Sequence, residues 1–310
     1  MNQNTLVLLG KRELKWIQKE LRPLENDEVL VKTIAGAISI GAELPQYLEM
    51  DITERQPRYP KETGYENYGE IVEVGEGVAS LKKGDRVIAS FGHKDYGIIG
   101  EQKAIQVPKD IHYADALLTI LSCDAAKGVL KLNPGKEDKV LVTGMGTMGL
   151  LTLYFLREYM DVRHVDVVEP NASRGGLAHQ LGASCVFKDT SECPRDFYHY
   201  GLECSGNNAA FHCLQSSLLP EAELCILSDG NKDVFNLQPE FYEKELKIVG
   251  SSDGWDYRKH SQWYFENVRC KGSVLNRLFE LTIGKKGLVR CFEDLGEGRV
   301  DPLKVLVEYE

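Results

Sequence analysis

The sequence predicts an α/β protein in which a doubly wound parallel sheet is joined to a β-rich unit. Three observations carry this. Residues 1 to about 120 are short runs rich in valine, isoleucine and threonine, bounded by glycine or proline. From about residue 139, strand-like apolar runs alternate with helix-length ones, the pattern of right-handed βαβ crossovers. And 310 residues suffice for two domains of ordinary size, each with its own core.

The elements follow in order. "EVLVKTIAGAISIG", "YGEIVEVGEG", "GDRVIAS" and "EQKAIQVP" read as strands of a barrel-like unit. In "IHYADALLTILSCDAAKGVLKLNPGKED" the apolar residues recur at helical intervals, and Asn133-Pro134-Gly135 stops them. Then come "KVLVT", "MGLLTLYFLREYM", "HVDVVEP", "RGGLAHQLGA", "YGLECSG", "NAAFHCLQSSL", "ELCILSDG" and "LKIVGSS", strand and helix by turns. The C-terminal part holds helical segments and ends in a strand-like "KVLVEY", which is expected to return to the first unit. The expected division is a domain of residues 1–122 completed by 257–310, and a second domain of residues 123–256.

Composition narrows the function. With 43% apolar and 27% charged residues the chain reads as soluble and globular. A net charge of −10 and the lack of any run of five basic residues argue against nucleic acid or an anionic membrane as partner. The eight cysteines are scattered without a C-x-x-C pair, and the N-terminus shows no signal-peptide pattern, so thiols in a reducing cytoplasm are expected. "VLVTGMGTMGLLTLYFL" is nearly uncharged, but it is 17 residues long and broken by glycines. It falls short of the ~20 residues a membrane-spanning helix needs.

The same stretch carries the clearest chemistry. "KVLVTGMGTMGLL" sets Gly144, Gly146 and Gly149 in G-x-G-x-x-G spacing, after an apolar β-branched strand and at the opening of a helix. The first glycine allows the tight turn, the second lets a pyrophosphate approach the backbone, and the third lets helix and sheet pack closely. Thr147 and Met148 complete the turn, where helix N–H groups face the phosphates. Glu169 stands twenty residues past Gly149, at the end of the next strand, where a carboxylate accepts the adenosine ribose hydroxyls. A 2′-phosphate would bring roughly −1.5 to −2 charges against it. Arg174 offers partial compensation or a surface for adenine. NAD is therefore expected over NADP.

Taken together, "GYE", "VGEGVASLKKGDRV", the glycine-rich turn, "LGAS", "ECSGNNAA" and the final "KVLVEY" resemble the medium-chain dehydrogenase/reductase superfamily over nearly the whole chain. The resemblance implies a GroES-like catalytic domain made of both chain ends and a Rossmann domain between them. It also implies a cleft at their junction, cofactor contacts at Ser205 and Gly206, and a homodimer built on Rossmann edge strands near "ELCILSDG" (223–230). The departures are equally specific. Zinc alcohol dehydrogenases carry G-x-C-x-x-D and G-H-E, whereas this chain has "GAISIGAEL" and "GYE", and "IASFGHKDYGIIGEQ" lacks the four-cysteine lobe. A catalytic zinc needs three protein ligands and one open position. Cys123, His93 and Asp124 stand near the relevant segments, with a core thiol and a loop histidine as the plainer readings of the first two. "SIGAE" and "GYE" resemble a zinc-free branch that includes hydroxyethyl bacteriochlorophyllide dehydrogenase.

The leading expectation is zinc-independent interconversion of a secondary alcohol and a ketone with a nicotinamide cofactor. Tyr65 would hydrogen-bond the substrate oxygen, Ser39 or Glu43 would complete a proton path, and Glu66 would lie beside it. Alternatively, Tyr65 fills the vacated metal volume while Glu43 and Glu66 hold loops. Two other functions remain open: an NADPH-dependent quinone or enone reductase, and a dinucleotide-binding protein without catalysis.

Overall fold

A computed structural model describes residues 2–54, 56–228, 233–271 and 274–309. Following the chain, β1 (Asn2–Gly10) and β2 (Glu13–Glu20) form a hairpin, and β3 (Glu28–Ile38) leads into α1 (Ile40–Leu48). Next come β4 (Lys61–Glu62), β5 (Glu66–Val74), β6 (Arg86–Ala89), β7 (Tyr96–Gly100) and β8 (Ile105–Gln106), then α2 (Tyr113–Leu117) and α3 (Thr119–Leu132). Alternation follows as the sequence predicts: β9 (Lys139–Thr143), α4 (Thr147–Glu158), β10 (His164–Val168), α5 (Ala172–Gln180) and β11 (Cys185–Phe187). It continues through β12 (Tyr198–Glu203), α6 (Asn208–Ser217), β13 (Leu218–Ile226), α7 (Pro239–Glu243) and β14 (Lys247–Gly250). The chain closes with α8 (Tyr257–Lys271), β15 (Phe279–Gly284), α9 (Leu288–Gly296) and β16 (Lys304–Glu308).

Two compact units result, Met1–Thr119 with Tyr257–Glu310, and Ile120–Asp256. In the second, the described strands form a six-stranded parallel sheet in the order β11-β10-β9-β12-β13-β14. Counted from β9 this is 3-2-1-4-5-6, the doubly wound order, whose switch point lies between β9 and β12. The runs "VLV" and "VDVV" are buried because helices cover both faces of such a sheet. The dimer expectation needs a correction here: residues 223–226 belong to β13, which pairs with β12 on one side and β14 on the other, so that strand is interior. Alternating apolar residues cannot distinguish an interior strand from an edge. Residues 229 and 230 lie outside the described residues.

In the first unit, β3 is the organising strand. It pairs with β5 along most of its length; on its other edge it takes β7 over Glu28–Lys32 and β16 over Ala35–Ile38. The last strand of the chain thus lies antiparallel beside the third, which is the expected return of "KVLVEY". The core here gathers Leu6, Leu8, Ile38, Tyr47, Phe292, Val305 and Val307 from both chain ends. Among the described residues, no helix is long and apolar enough to cross a membrane; "VLVTGMGTMGLLTLYFL" folds as strand, turn and helix.

Candidate active site

The glycine-rich turn has the geometry its spacing requires. Gly144 sits at φ +81°, and a Cβ there would lie 2.6 Å from the Ser205 Cα, so the β9–α4 turn and the loop after β12 are in close contact. A Cβ on Gly149 would fall 1.8 Å from the Gly144 carbonyl oxygen. Gly146, by contrast, faces open space and stands at the N-cap of α4. A pyrophosphate could therefore reach the backbone at the positive end of a 12-residue helix. These residues fit a dinucleotide.

Glu169 follows β10 and is 5% exposed. One carboxylate oxygen accepts the Met145 N–H at 2.7 Å and the other accepts the Asn171 N–H at 2.8 Å. The acid thereby ties the end of β10 to the glycine-rich turn, and each oxygen keeps a second lone pair. Asn171 caps α5 by accepting from Ser173 and Arg174 N–H, which fixes Arg174 within the first turn of that helix. On the other side of the switch point, Ser205 and Gly206 donate their N–H groups to Glu203 at 2.8 and 3.1 Å. The hydroxyls of Ser205 and Ser228 also bond this fully buried carboxylate. Glu203 was not picked out from the sequence; its signal is an acid closing an otherwise buried strand in "YGLECSG".

The second candidate cluster lies in the first unit. Because Ala37 pairs with Glu66, the end of β3 and the start of β5 lie side by side. Ser39, just past β3, and Tyr65, just before β5, meet there. The Tyr65 hydroxyl donates to Ser39 Oγ at 2.5 Å. Ser39 is buried, whereas Tyr65 is partly exposed and lines an open cavity of about 470 Å³ with Gly64, Phe91, Gly92 and Lys94.

Glu43 and Glu66 go elsewhere. Ser39 is the N-cap of α1, and Glu43 reaches back to accept its backbone N–H at 2.8 Å, in the manner of a capping box. The other Glu43 oxygen meets His93 Nε2 at 2.9 Å, with both side chains almost fully buried. The His93 ring lies against Gly64, where a Cβ would approach within 2.7 Å and φ is +85°. His93 thus lies in the loop between β6 and β7 and is fully buried there. Glu43 thus bonds the Ser39 backbone N–H, while the Ser39 hydroxyl accepts from Tyr65. Glu66 forms an ion pair with Lys304 of β16 at 2.7 Å, both fully buried. Lys304 has no distinct sequence signal beyond a charge opening an apolar strand. Cys123 is 3% exposed, and burial pushes its thiol up to about 12.

Among the described residues, no three histidine, cysteine, aspartate or glutamate side chains converge where they could hold a metal. The Tyr65 and Ser39 hydroxyls meet at the ends of β3 and β5, and Glu43 and His93 are bound to each other.

With this geometry in hand, comparison with known proteins is informative. Residues 25–112 match the alcohol dehydrogenase GroES-like domain. The L-threonine 3-dehydrogenase of Coxiella burnetii is 26% identical, over 95% of this chain and 96% of that protein. A Sinorhizobium meliloti protein classed as a zinc-binding dehydrogenase, solved with NADP, superposes with a TM-score of 0.86 at 16% identity, covering 99% of both chains. An alcohol dehydrogenase from Escherichia coli CFT073, solved with NADH, gives 0.80 at 20% identity, again over 99% of both. The family match is to the GroES-like domain over residues 25–112, and the likenesses to solved structures, at 16% and 20% identity, show a shared fold.

Proposed function

We propose that this medium-chain oxidoreductase interconverts a secondary alcohol and a ketone without a catalytic zinc, with the Tyr65–Ser39 hydroxyl pair in the metal's place. The observation that carries this reading is the 2.5 Å contact between those hydroxyls at the paired ends of β3 and β5, in the two segments that depart from the zinc-binding pattern. The turn holding Gly144, Gly146 and Gly149 would hold the dinucleotide, whose nicotinamide would supply or take up the hydride. Tyr65 would hold the substrate oxygen by hydrogen bonding, and Ser39 would orient the phenol and share its proton. The L-threonine 3-dehydrogenase similarity supports a secondary alcohol, since carbon 3 of threonine carries one. In this reading Glu43 shapes the start of α1 and Glu66 anchors β5, both as positioning residues. A cytoplasmic homodimer belongs to the same reading.

NAD is the proposed dinucleotide because Glu169 presents a carboxylate where a 2′-phosphate would add negative charge. Glu169→Ser should narrow the preference for NADH over NADPH in fluorescence titrations. Equal affinities in the unaltered protein would remove the argument.

The reaction is tested by assaying alcohols, ketones and enones with both cofactors, on protein expressed with zinc supplied and then analysed for metal. Turnover of a secondary alcohol at far below one equivalent of zinc is expected. Stoichiometric zinc, lost on chelation together with activity, would overturn the metal-free mechanism. Enone reduction with NADPH alone would favour a reductase.

A further inference from the structure

Among the described residues, the carboxylate of Glu203 has no basic partner although it ends β12 with no exposure. One of its oxygens accepts the Ser205 N–H at 2.8 Å, the Gly206 N–H at 3.1 Å, the Thr143 hydroxyl at 3.4 Å and the Ser205 hydroxyl. The other accepts from the Ser228 hydroxyl and, at 3.3 Å, from the Gly206 N–H. All of these donors are neutral. The buried acids Glu43 and Glu66, by contrast, meet His93 and Lys304.

Glu203 stands at the carboxyl end of β12 beside the switch point, with Thr143 and Ile226 at the same level on the flanking strands. Dinucleotides bind across the crevice at such a point. Glu169, after β10, marks the adenosine side, and the glycine-rich turn is shaped for the pyrophosphate. The nicotinamide half therefore falls on the β12 side, where Ser205 packs against Gly144.

We propose that Glu203 selects the oxidation state of the bound cofactor electrostatically, favouring the oxidised nicotinamide over the reduced one. The oxidised ring carries a positive charge and the reduced ring is neutral, so a fixed carboxylate acts on the two differently. Neutral N–H and O–H donors hold the carboxylate in place and damp its field without cancelling it. Burial leaves that field poorly screened by salt. The plainer role, a brace for the loop after β12, would affect both forms of the cofactor alike. The inference rests on the dinucleotide reading of the glycine-rich turn and not on the metal-free reading. Its consequence is that the bound reduced cofactor gives up hydride more readily than the free one, the direction of ketone reduction.

The test measures dissociation constants of NAD⁺ and NADH by calorimetry, without substrate, for the unaltered protein and for Glu203→Gln. In this variant the amide nitrogen can take the Ser228 side, where the hydroxyl rotates to accept, so the loop keeps its other bonds. NAD⁺ affinity should fall relative to NADH affinity, by roughly tenfold for the loss of one partly screened charge. Ser228→Ala removes a donor and keeps the charge, so it should move the ratio the other way, towards NAD⁺. Equal weakening of both forms in Glu203→Gln would make Glu203 a brace and overturn the proposal. Where that variant does not fold, an unmoved ratio in Ser228→Ala overturns it instead. If neither form binds the unaltered protein, the dinucleotide reading fails and this inference with it.

Discussion

The Tyr65 and Ser39 hydroxyls meet, whereas the acids named with them turn to partners far along the chain. Tyr65 and Ser39 could be singled out because each stands in a segment where zinc-dependent relatives place ligands. What each acid would bond could not be read. Glu43 on α1 meets His93 fifty positions away and Glu66 meets Lys304 at a separation of 238, and the second contact depends on the register of β5 and β16 against β3. The Lys304–Glu66 pair carries a prediction at this scale. Lys304→Met removes the cation and leaves a carboxylate in a site with no exposure, which costs ~3–5 kcal/mol for buried pairs of this kind. Urea titration should show that loss. Lys304→Met combined with Glu66→Leu should lose less, because the uncompensated charge is gone. An unchanged midpoint in the single variant would mean that the pair contributes nothing.

At the scale of elements, periodicity and punctuation located the βαβ half closely, since helix-length apolar runs and a glycine turn are local signals. The β1–β2 hairpin and α1 were not foreseen. Both pack in one core with α9 and β16, which come at the far end of the chain. The helix α8 carries a pH prediction. His260 packs beside Trp263 and Tyr264, and burial lowers its imidazole from 6.5 to about 4. An unfolded histidine takes up a proton below about pH 6.5, while the folded one stays neutral until about pH 4. Above pH 6.5 neither state binds the proton, so this residue adds no slope. Between pH 6.5 and 4 the unfolded chain gains more protons and stability falls, by up to about 3 kcal/mol. His260→Phe should flatten that part of the stability profile while leaving the neutral-pH limb parallel to the unaltered protein's. An identical acid slope in both would show that His260 titrates normally.

For the whole molecule, the fold class and the second unit's strand order follow from what the sequence makes plain, a dinucleotide motif at the switch point of a parallel sheet. Substrate identity does not follow, because a GroES-like unit fixes where a site can be built and leaves its chemistry to a few side chains. Everything distinctive in the proposed reaction therefore rests on one pair of hydroxyls. Single-turnover hydride transfer in Tyr65→Phe, followed by nicotinamide absorbance with a substrate found in the panel, tests that pair most directly. The substitution keeps the ring and removes only the hydroxyl. A general acid–base group contributes ~10²–10⁴-fold. The predicted result is a fall in transfer rate of that size with unchanged dinucleotide affinity. A variant that transfers hydride at the unaltered rate would show that Tyr65 only fills space, and would contradict the mechanism.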